Sequence, residues 1–515
     1  MIQSASGPGA IRRAGIGPRR ARTFPAMLPT SPDGHLATRA RQRRLTVQAA
    51  LLAALAIAAS AAISFRPIYE PDLWWHLAQG REAAAGHLVH TNLFNFLYAG
   101  YPQPYTPWLF DLGGYLAWQA AGGAGIQAAQ AALLTLTFVL VFMACRCRAA
   151  APEVLAVLVL GFAVIEPRAL PRPHLASFAG MAACAMLIER ARIRQSARPL
   201  WWALPVVALW SNLHVEVFLG LLLLGLFSAA ELIRPAALSR PEARRAAAIT
   251  AACAAATFAN PYGWGIAAYL AENWQVPQLL NIAELRPAYL PTYRPFFVYL
   301  VLSWALLIWR VRKAPPADLA AAIVFGLLGI RFLRFTPLVF LVSAPAVAAA
   351  LSALVRRGVD GRALVATALA ATLLTARQPL VVFTRLGVGT RAIAPPEFFP
   401  ADLGRTLRNL GLEGPMFNSM NLGGYLVWEM YPQARIFQDS RLQAVPPEHF
   451  LHILTASRDP AGWTRLMQGI DWAVISLPRP NELSGAGHFR PPEWIPVFED
   501  QAVRVVVRQG GRFDR

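Results

Sequence analysis

The sequence predicts a mainly α, polytopic helical membrane protein with a small C-terminal α/β domain. Three observations carry this. Of 515 residues, 56% are apolar and only 15% charged, against roughly 25% charged in an average soluble protein. Apolar stretches recur as far as residue 376, many of them approaching the ~20 residues that cross a bilayer. Beyond that point the apolar runs shorten and prolines multiply. The mean hydropathy is +0.40. A formal charge of +20 also suits nucleic acid, but no recognition motif accompanies it, and the 48 basic residues (all arginine except Lys313) are spread over short loops. Orientation in a membrane accounts for them, and no nucleic-acid partner is expected.

Residues 1–44 are rich in Arg, Pro and Gly without periodicity, which predicts a disordered basic tail. A transmembrane domain follows over 45–376. Its apolar segments lie near 45–65, 126–144, 152–165, 174–189, 201–213, 217–233, 246–259, 296–309, 317–330, 335–355 and 363–376. The first is read as a retained anchor, because it is too long for a signal peptide. A weaker segment, 108–121, contains Asp111 and is read as an interfacial helix within a first outer loop of 66–125.

That leaves about 11 transmembrane helices, and the basic residues then sort cleanly. The N-terminal tail and alternate loops carry 25, the opposite loops 8, and the chain after 376 carries 15. Basic loops stay in the cytoplasm. The N-terminus is therefore expected inside and the C-terminal domain in the periplasm, on the outer side of a bacterial inner membrane. Cys145, Cys147, Cys184 and Cys253 fall in spans or at the cytoplasmic side, so no disulfide framework is expected.

Residues 377–515 read as alternating helix and strand. Pro400–Leu410, closed by Gly411, and Asp459–Met467 are predicted helices. Met416–Ser419, Arg435–Gln438, Trp472–Ser476, Ile495–Phe498 and Val503–Val507 are predicted strands.

Unusual polar residues gather on the outer face. Glu70, Asp72 and His76 follow the first span in Glu-Pro-Asp-Leu-Trp-Trp-His, and Asp111 lies on the interfacial helix. Arg168, Arg172 and His174 occupy a turn broken by three prolines. His214 and Glu216 fill the next outer turn, Glu284 lies in a long loop, and Arg331 and Arg334 sit at the last hairpin of the membrane part. Asp72 fits a general base toward a hydroxyl, or an N-cap. Glu70 and Asp72 could share a metal. Spaced i, i+3, Arg331 and Arg334 share a helical face. They fit a phosphate clamp, or ion pairs with Glu284 or Glu70.

Motif by motif, the chain resembles a known family. Pro-Asp-Leu-Trp-Trp-His-Leu-Ala-Gln-Gly (71–80) and Gly-His-Leu-Val-His-Thr-Asn-Leu-Phe-Asn-Phe (86–96) look like a family of bacterial polytopic membrane proteins. So do Pro-Trp-Leu-Phe-Asp-Leu (107–112), Arg-Pro-His (172–174), Trp-x-Asn-x-His (210–214), Asn-Pro-Tyr-Gly (260–263) and Arg-Phe-x-Pro-Leu (334–338). Gly-Gly-Tyr-Leu-Val-Trp (423–428) and Phe-Gln-Asp-Ser-Arg (437–441) resemble its outer domain. The family often has Asp-Pro-Asp where this chain has Glu70-Pro71-Asp72, and Asp-Pro-Phe where it has Asn92-Leu93-Phe94.

The membrane part of that family is similar to GT-C glycosyltransferases, which take sugars from polyprenyl-phosphate carriers and have a catalytic acid in the first outer loop. The resemblance implies an inverting transferase of the cell envelope, acting on a glycan, lipid or protein acceptor. Asp72 and Glu70 would be catalytic. His76, Asp111, Arg168, Arg172, His174, His214, Arg331 and Arg334 would bind substrate. A divalent cation (Mg or Mn) would sit on Glu70 and Asp72. Two other classes remain open: a non-catalytic envelope-assembly protein and a lipid or glycan transporter. A cavity open to the bilayer and lined by both Asp72 and Arg331 favours the enzyme, and an outer face packed shut favours the scaffold.

Overall fold

The structure, a computed structural model, describes residue 54 and residues 58–272, 283–291, 293–375, 393, 398–456, 458–477 and 486–514. The predicted disordered tail, most of the first apolar segment and most of the 376–397 junction lie outside the described residues.

Helices α1 to α6 span Asp72–Ala84, Trp108–Arg146, Ala151–Ile165, His174–Arg194, Ala203–Leu213 and Val217–Ile233. Helices α7 to α12 span Arg240–Ala256, Gly265–Glu272, Arg294–Trp309, Pro316–Arg331, Thr336–Val355 and Gly361–Thr375. Pro71 occupies the N-cap position of α1 and makes no side-chain cap bond, so Asp72 is the first helical residue. The capping is done by Glu70, whose Oε1 accepts the Asp72 backbone N–H at 3.2 Å. Helix α2 runs through the predicted interfacial segment and is kinked at Ala121 and Gly122. The φ of +55° at Gly122 favours glycine. Gly80 of α1 lies directly on the Asp111 carbonyl of α2, where a Cβ has no room. That close approach brings the polar faces of α1 and α2 together.

The eleven predicted spans are not reached. Among the described residues, two helices have the length and hydropathy of a bilayer span: α2 and the Leu333–Val355 stretch that contains α11. Helices α6, α9 and α12 are apolar but shorter. The reason is geometric. A 15-residue helix such as α3 is about 22 Å long at about 1.5 Å per residue, less than the ~30 Å hydrocarbon thickness. Proline-rich and polar turns cut the apolar runs short. Between α3 and α4, Pro167, Pro171 and Pro173 separate two otherwise apolar helices.

At the far ends of α4 and α10 a buried ionic clasp ties the bundle. Arg148 reaches Glu189 and Asp318 at 2.5 Å each, and Arg192 reaches the same two acids at 2.7 and 2.8 Å. The loops on this side therefore contribute paired arginines as well as free ones.

The C-terminal part contains α13 (Leu403–Asn409), α14 (Met420–Met430), α15 (Pro447–Ala456) and α16 (Pro460–Leu466). Its strands are β1 (Gly414–Pro415), β2 (Phe417–Asn418), β3 (Ala434–Arg435), β4 (Trp472–Ser476), β5 (Trp494–Glu499) and β6 (Val503–Arg508). Four of them form a sheet in the order β2-β4-β6-β5; β2 and β4 are parallel and the other pairs antiparallel. Strands β1 and β3 form a short parallel pair. The predicted helices and the three later strands are present. The Gly-Gly-Tyr-Leu-Val-Trp stretch is helical, as part of α14.

One side of the sheet has its own core around Phe417, Trp463 and Trp494. The other shares a core with α1 and the segment that follows it: Trp74, Leu77 and Phe94 pack with Tyr425, Ile436 and Val505. Backbone bonds stitch the two together, with Ile436 donating to the Phe94 carbonyl at 3.0 Å and Phe96 to the Ile436 carbonyl at 3.3 Å. Arg441 stacks over the Phe94 ring at 4.8 Å. The segment 438–443 is thereby held over the start of α1.

Candidate active site

Asp72 stands at the mouth of a cavity of about 480 Å³, within the size range of small-molecule sites. Helices α1, α4 and α8 line it, together with the turns at 214–218 and 332–335 and the 440–443 segment. Three carboxylates meet on one guanidinium there. Arg172 Nη2 lies 2.6 Å from Glu70 Oε1 and 3.0 Å from Asp72 Oδ2, and its Nη1 lies 2.8 Å from Glu284 Oε1. Arg168 adds a second cation 2.9 Å from Glu284. The other Asp72 oxygen accepts a hydrogen bond from the Ser440 hydroxyl, which also accepts the Trp75 indole N–H at 3.2 Å.

A second group of charged residues also lines the cavity. Arg334 donates Nε and Nη2 to Glu216 Oε1 at 3.0 and 2.6 Å. His214 Nδ1 lies 2.7 Å from Ser177 Oγ and 3.4 Å from Glu216 Oε2. His174 donates Nε2–H to the Arg168 carbonyl at 2.6 Å, which fixes its tautomer. His76 is held at Nδ1 by Asp111 at 2.5 Å, and Trp75 stacks on its ring at 3.6 Å. His76 is among the residues that line the cavity.

Charge balance shifts the ionisation of these loop groups. Burial disfavours the Arg172 charge, but Asp72, Glu70 and Glu284 outweigh it and raise its pKa above the usual arginine value. Burial lifts the Glu70 carboxyl against the pull of Arg172, and Asp72 adds to the rise. Burial also acts on Glu216 and Glu284. There the cations prevail: His214 and Arg334 hold Glu216, and Arg168 and Arg172 hold Glu284, well below the ordinary carboxylate range. A depressed folded-state pKa contributes stability that is complete above the unfolded value and is lost as pH falls through the folded one. The contribution of Glu216 and Glu284 to the thermal stability of the detergent-solubilised protein is therefore expected to be complete above about pH 4.5, the unperturbed glutamate value, and to be lost progressively below it. In Glu284→Gln that acid sensitivity is expected to be smaller.

Of the residues singled out from sequence, Asp72, His76, Arg172, His174, His214 and Arg334 line the cavity. Glu70, Asp111 and Arg168 stand behind it as partners of lining residues. Arg331 is a correction. Its side chain is exposed and lies over the Phe332 ring at 4.6 Å, and it has no ion pair among the described residues. The i, i+3 spacing fails because helix α10 ends at Arg331, and Arg334 belongs to a separate 3₁₀ turn.

Sequence reasoning placed Glu216 and Glu284 on this face without giving them a site role. Their signal was present, since buried arginines require carboxylate partners. Nothing in the sequence pointed to Ser440, which arrives from a different part of the chain.

The helical bundle, with its acid pair at the start of α1 and an α/β region packed over that pair, is similar in fold to solved structures that include those of the Archaeoglobus fulgidus oligosaccharyltransferase. Its apo form matches with a TM-score of 0.58 and 12% identity over 83% of this chain and 69% of that one. A complex with an inhibitory peptide and a dolichol-phosphate matches at 0.57 and 14% identity over 82% and 69%. A complex with Zn and sulfate matches at 0.54 and 13% identity over 82% and 68%. At these identities the likeness is one of fold. No protein-family model and no curated protein matches the sequence.

The zinc in that neighbour tests the divalent-cation expectation. Glu70 and Asp72 do not form an open pair, because Arg172 bridges them. Among the described residues no group of three or more His, Cys, Asp and Glu side chains is arranged to hold a metal ion.

Proposed function

We propose that this chain is an integral membrane glycosyltransferase that moves a sugar from a polyprenyl-phosphate donor to an acceptor hydroxyl at the outer face of the membrane. The observation that carries this reading is a cavity of about 480 Å³ lined by the Asp72 carboxylate and by the Arg172 and Arg334 guanidinium groups. Asp72 already accepts a hydrogen bond from a hydroxyl, that of Ser440. An acceptor hydroxyl in the same position would lose its proton to Asp72 as its oxygen bonds to the anomeric carbon. The bond between that carbon and the phosphate oxygen breaks, and polyprenyl phosphate leaves. Arg334 in the same cavity would stabilise the departing phosphate, and His76, oriented by Asp111, would hold a sugar or acceptor hydroxyl.

The fold neighbours support this reading: one is an oligosaccharyltransferase complex with a dolichol-phosphate, and another is tethered to an acceptor peptide. The acceptor here is a glycan, lipid or protein. The arginine distribution supports a cytoplasmic N-terminus and a periplasmic region from about 377 onward, consistent with a bacterial inner-membrane protein. The scaffold alternative draws on the extensive ion pairing at the site and on Arg331, which does not line the cavity; the cavity that Asp72 shares with Arg172 and Arg334 supports the enzyme.

Polyprenyl phosphate is expected to co-purify with the protein. Lipid extraction followed by mass spectrometry checks this, and a preparation that yields only bulk phospholipid, and that gains no thermal stability from added polyprenyl phosphate, would count against the proposal.

A further inference from the structure

We infer that Arg172 takes the seat of a divalent cation, so that this site works without one. Glu70 and Asp72 at the start of α1, and Glu284 from a loop more than two hundred residues away, converge on one guanidinium at 2.6, 3.0 and 2.8 Å. As spaced around the guanidinium these three are not arranged to hold a metal ion, but carboxylates converging on one cation are the chemistry that divalent ions use. Here the centre is a planar group whose several N–H donors can serve three acceptors at once.

The arginine is not free to swing away. It lies between Pro171 and Pro173, and its backbone N–H is tied to the Leu170 carbonyl at 2.7 Å. The facing oxygens, Glu70 Oε1, Asp72 Oδ2 and Glu284 Oε1, are all engaged by it, and Arg168 neutralises Glu284 further. The remaining Asp72 oxygen is held by Ser440. A dication would have to displace one guanidinium while facing another. The device gives the acid pair a fixed, non-exchangeable counter-charge.

The catalytic part of this inference rests on the transferase reading above, but its binding part does not. The test is a Mn²⁺ titration of the purified full chain after EDTA treatment, read by electron paramagnetic resonance and thermal unfolding. Wild type is expected to bind less than stoichiometric Mn²⁺ and to melt at the same temperature in EDTA and in Mn²⁺. Arg172→Ala uncovers the three carboxylates and is expected to bind one equivalent of Mn²⁺ and to melt higher with it than without. Arg172→Lys restores a cation and is expected to bind none.

One equivalent of Mn²⁺ or Zn²⁺ bound by wild type, and lost in Glu284→Gln, would overturn the inference. So would an Arg172→Ala protein that folds but binds no Mn²⁺. Should that variant fail to fold, the wild-type titration decides alone. Because the titration measures no turnover, its result stands apart from any failure to detect sugar transfer.

Discussion

Asp72→Asn is expected to reduce sugar transfer by about 10²–10⁴-fold, the usual contribution of a positioned general base, while the protein still folds. Asparagine keeps the size of the side chain and can still accept the Ser440 hydroxyl. Arg172 would retain Glu70 and Glu284 at 2.6 and 2.8 Å, so the ionic cluster persists with one carboxylate fewer. The start of α1 is capped by Glu70, not by Asp72, so the substitution leaves that cap in place. These features separate the catalytic role from the structural one. The check is a transfer assay with a polyprenyl-phosphate sugar donor, run beside expression level and melting temperature. Activity near that of wild type would exclude Asp72 as the base. A protein that expresses poorly would show instead that its charge is structural.

The main lines of the molecule were legible in the sequence wherever a local rule governed them. The helical membrane part followed from apolar runs, and Gly411 marks the end of α13 with a φ of +67°. Asp459 caps α16 by accepting the Ala461 and Gly462 backbone N–H groups. The candidate site was legible in part: of the polar residues singled out from the sequence, Asp72, His76, Arg172, His174, His214 and Arg334 line one cavity.

What escaped were relations between distant segments. Ser440 meets Asp72 across 368 residues. Arg172 and Glu284 are 112 apart. The C-terminal region shares its core with α1 and the segment that follows it, and periodicity carries no information about that docking. The span count failed for another reason: hydropathy windows register apolar composition but not where a proline or polar turn ends the helix. The error at Arg331 is of the same kind, since i, i+3 spacing places two side chains together only when one helix contains both.

The two arginines of Gly-Ile-Arg-Phe-Leu-Arg-Phe give the sharpest remaining contrast. Arg334→Ala is expected to lower transfer by about 10²–10³-fold, the usual effect of removing a group that stabilises developing charge. Arg331→Ala is expected to change it by less than about 3-fold, the scale of a surface substitution of within ±0.5 kcal/mol. The neighbourhood of each explains why. Arg334 faces the cavity and is held by Glu216 through two donors to a single oxygen. Its remaining donor capacity is available to a phosphate oxygen. Arg331 is exposed, on the far side of the break between α10 and the 3₁₀ turn, and rests on Phe332.

Glu216 complicates the comparison, since Arg334→Ala also strands a buried carboxylate. Glu216→Gln resolves it: the amide keeps a hydrogen-bond acceptor for Arg334 and removes the competing charge. If Arg334 serves the donor phosphate, Glu216→Gln should retain activity that Arg334→Ala lacks, with a lower KM for the donor. If the pair is only a structural clasp, both variants should lose melting temperature in parallel and kcat should follow stability alone. Measuring KM, kcat and melting temperature for the three variants separates the two roles, and Arg331→Ala supplies the baseline from the same seven-residue motif.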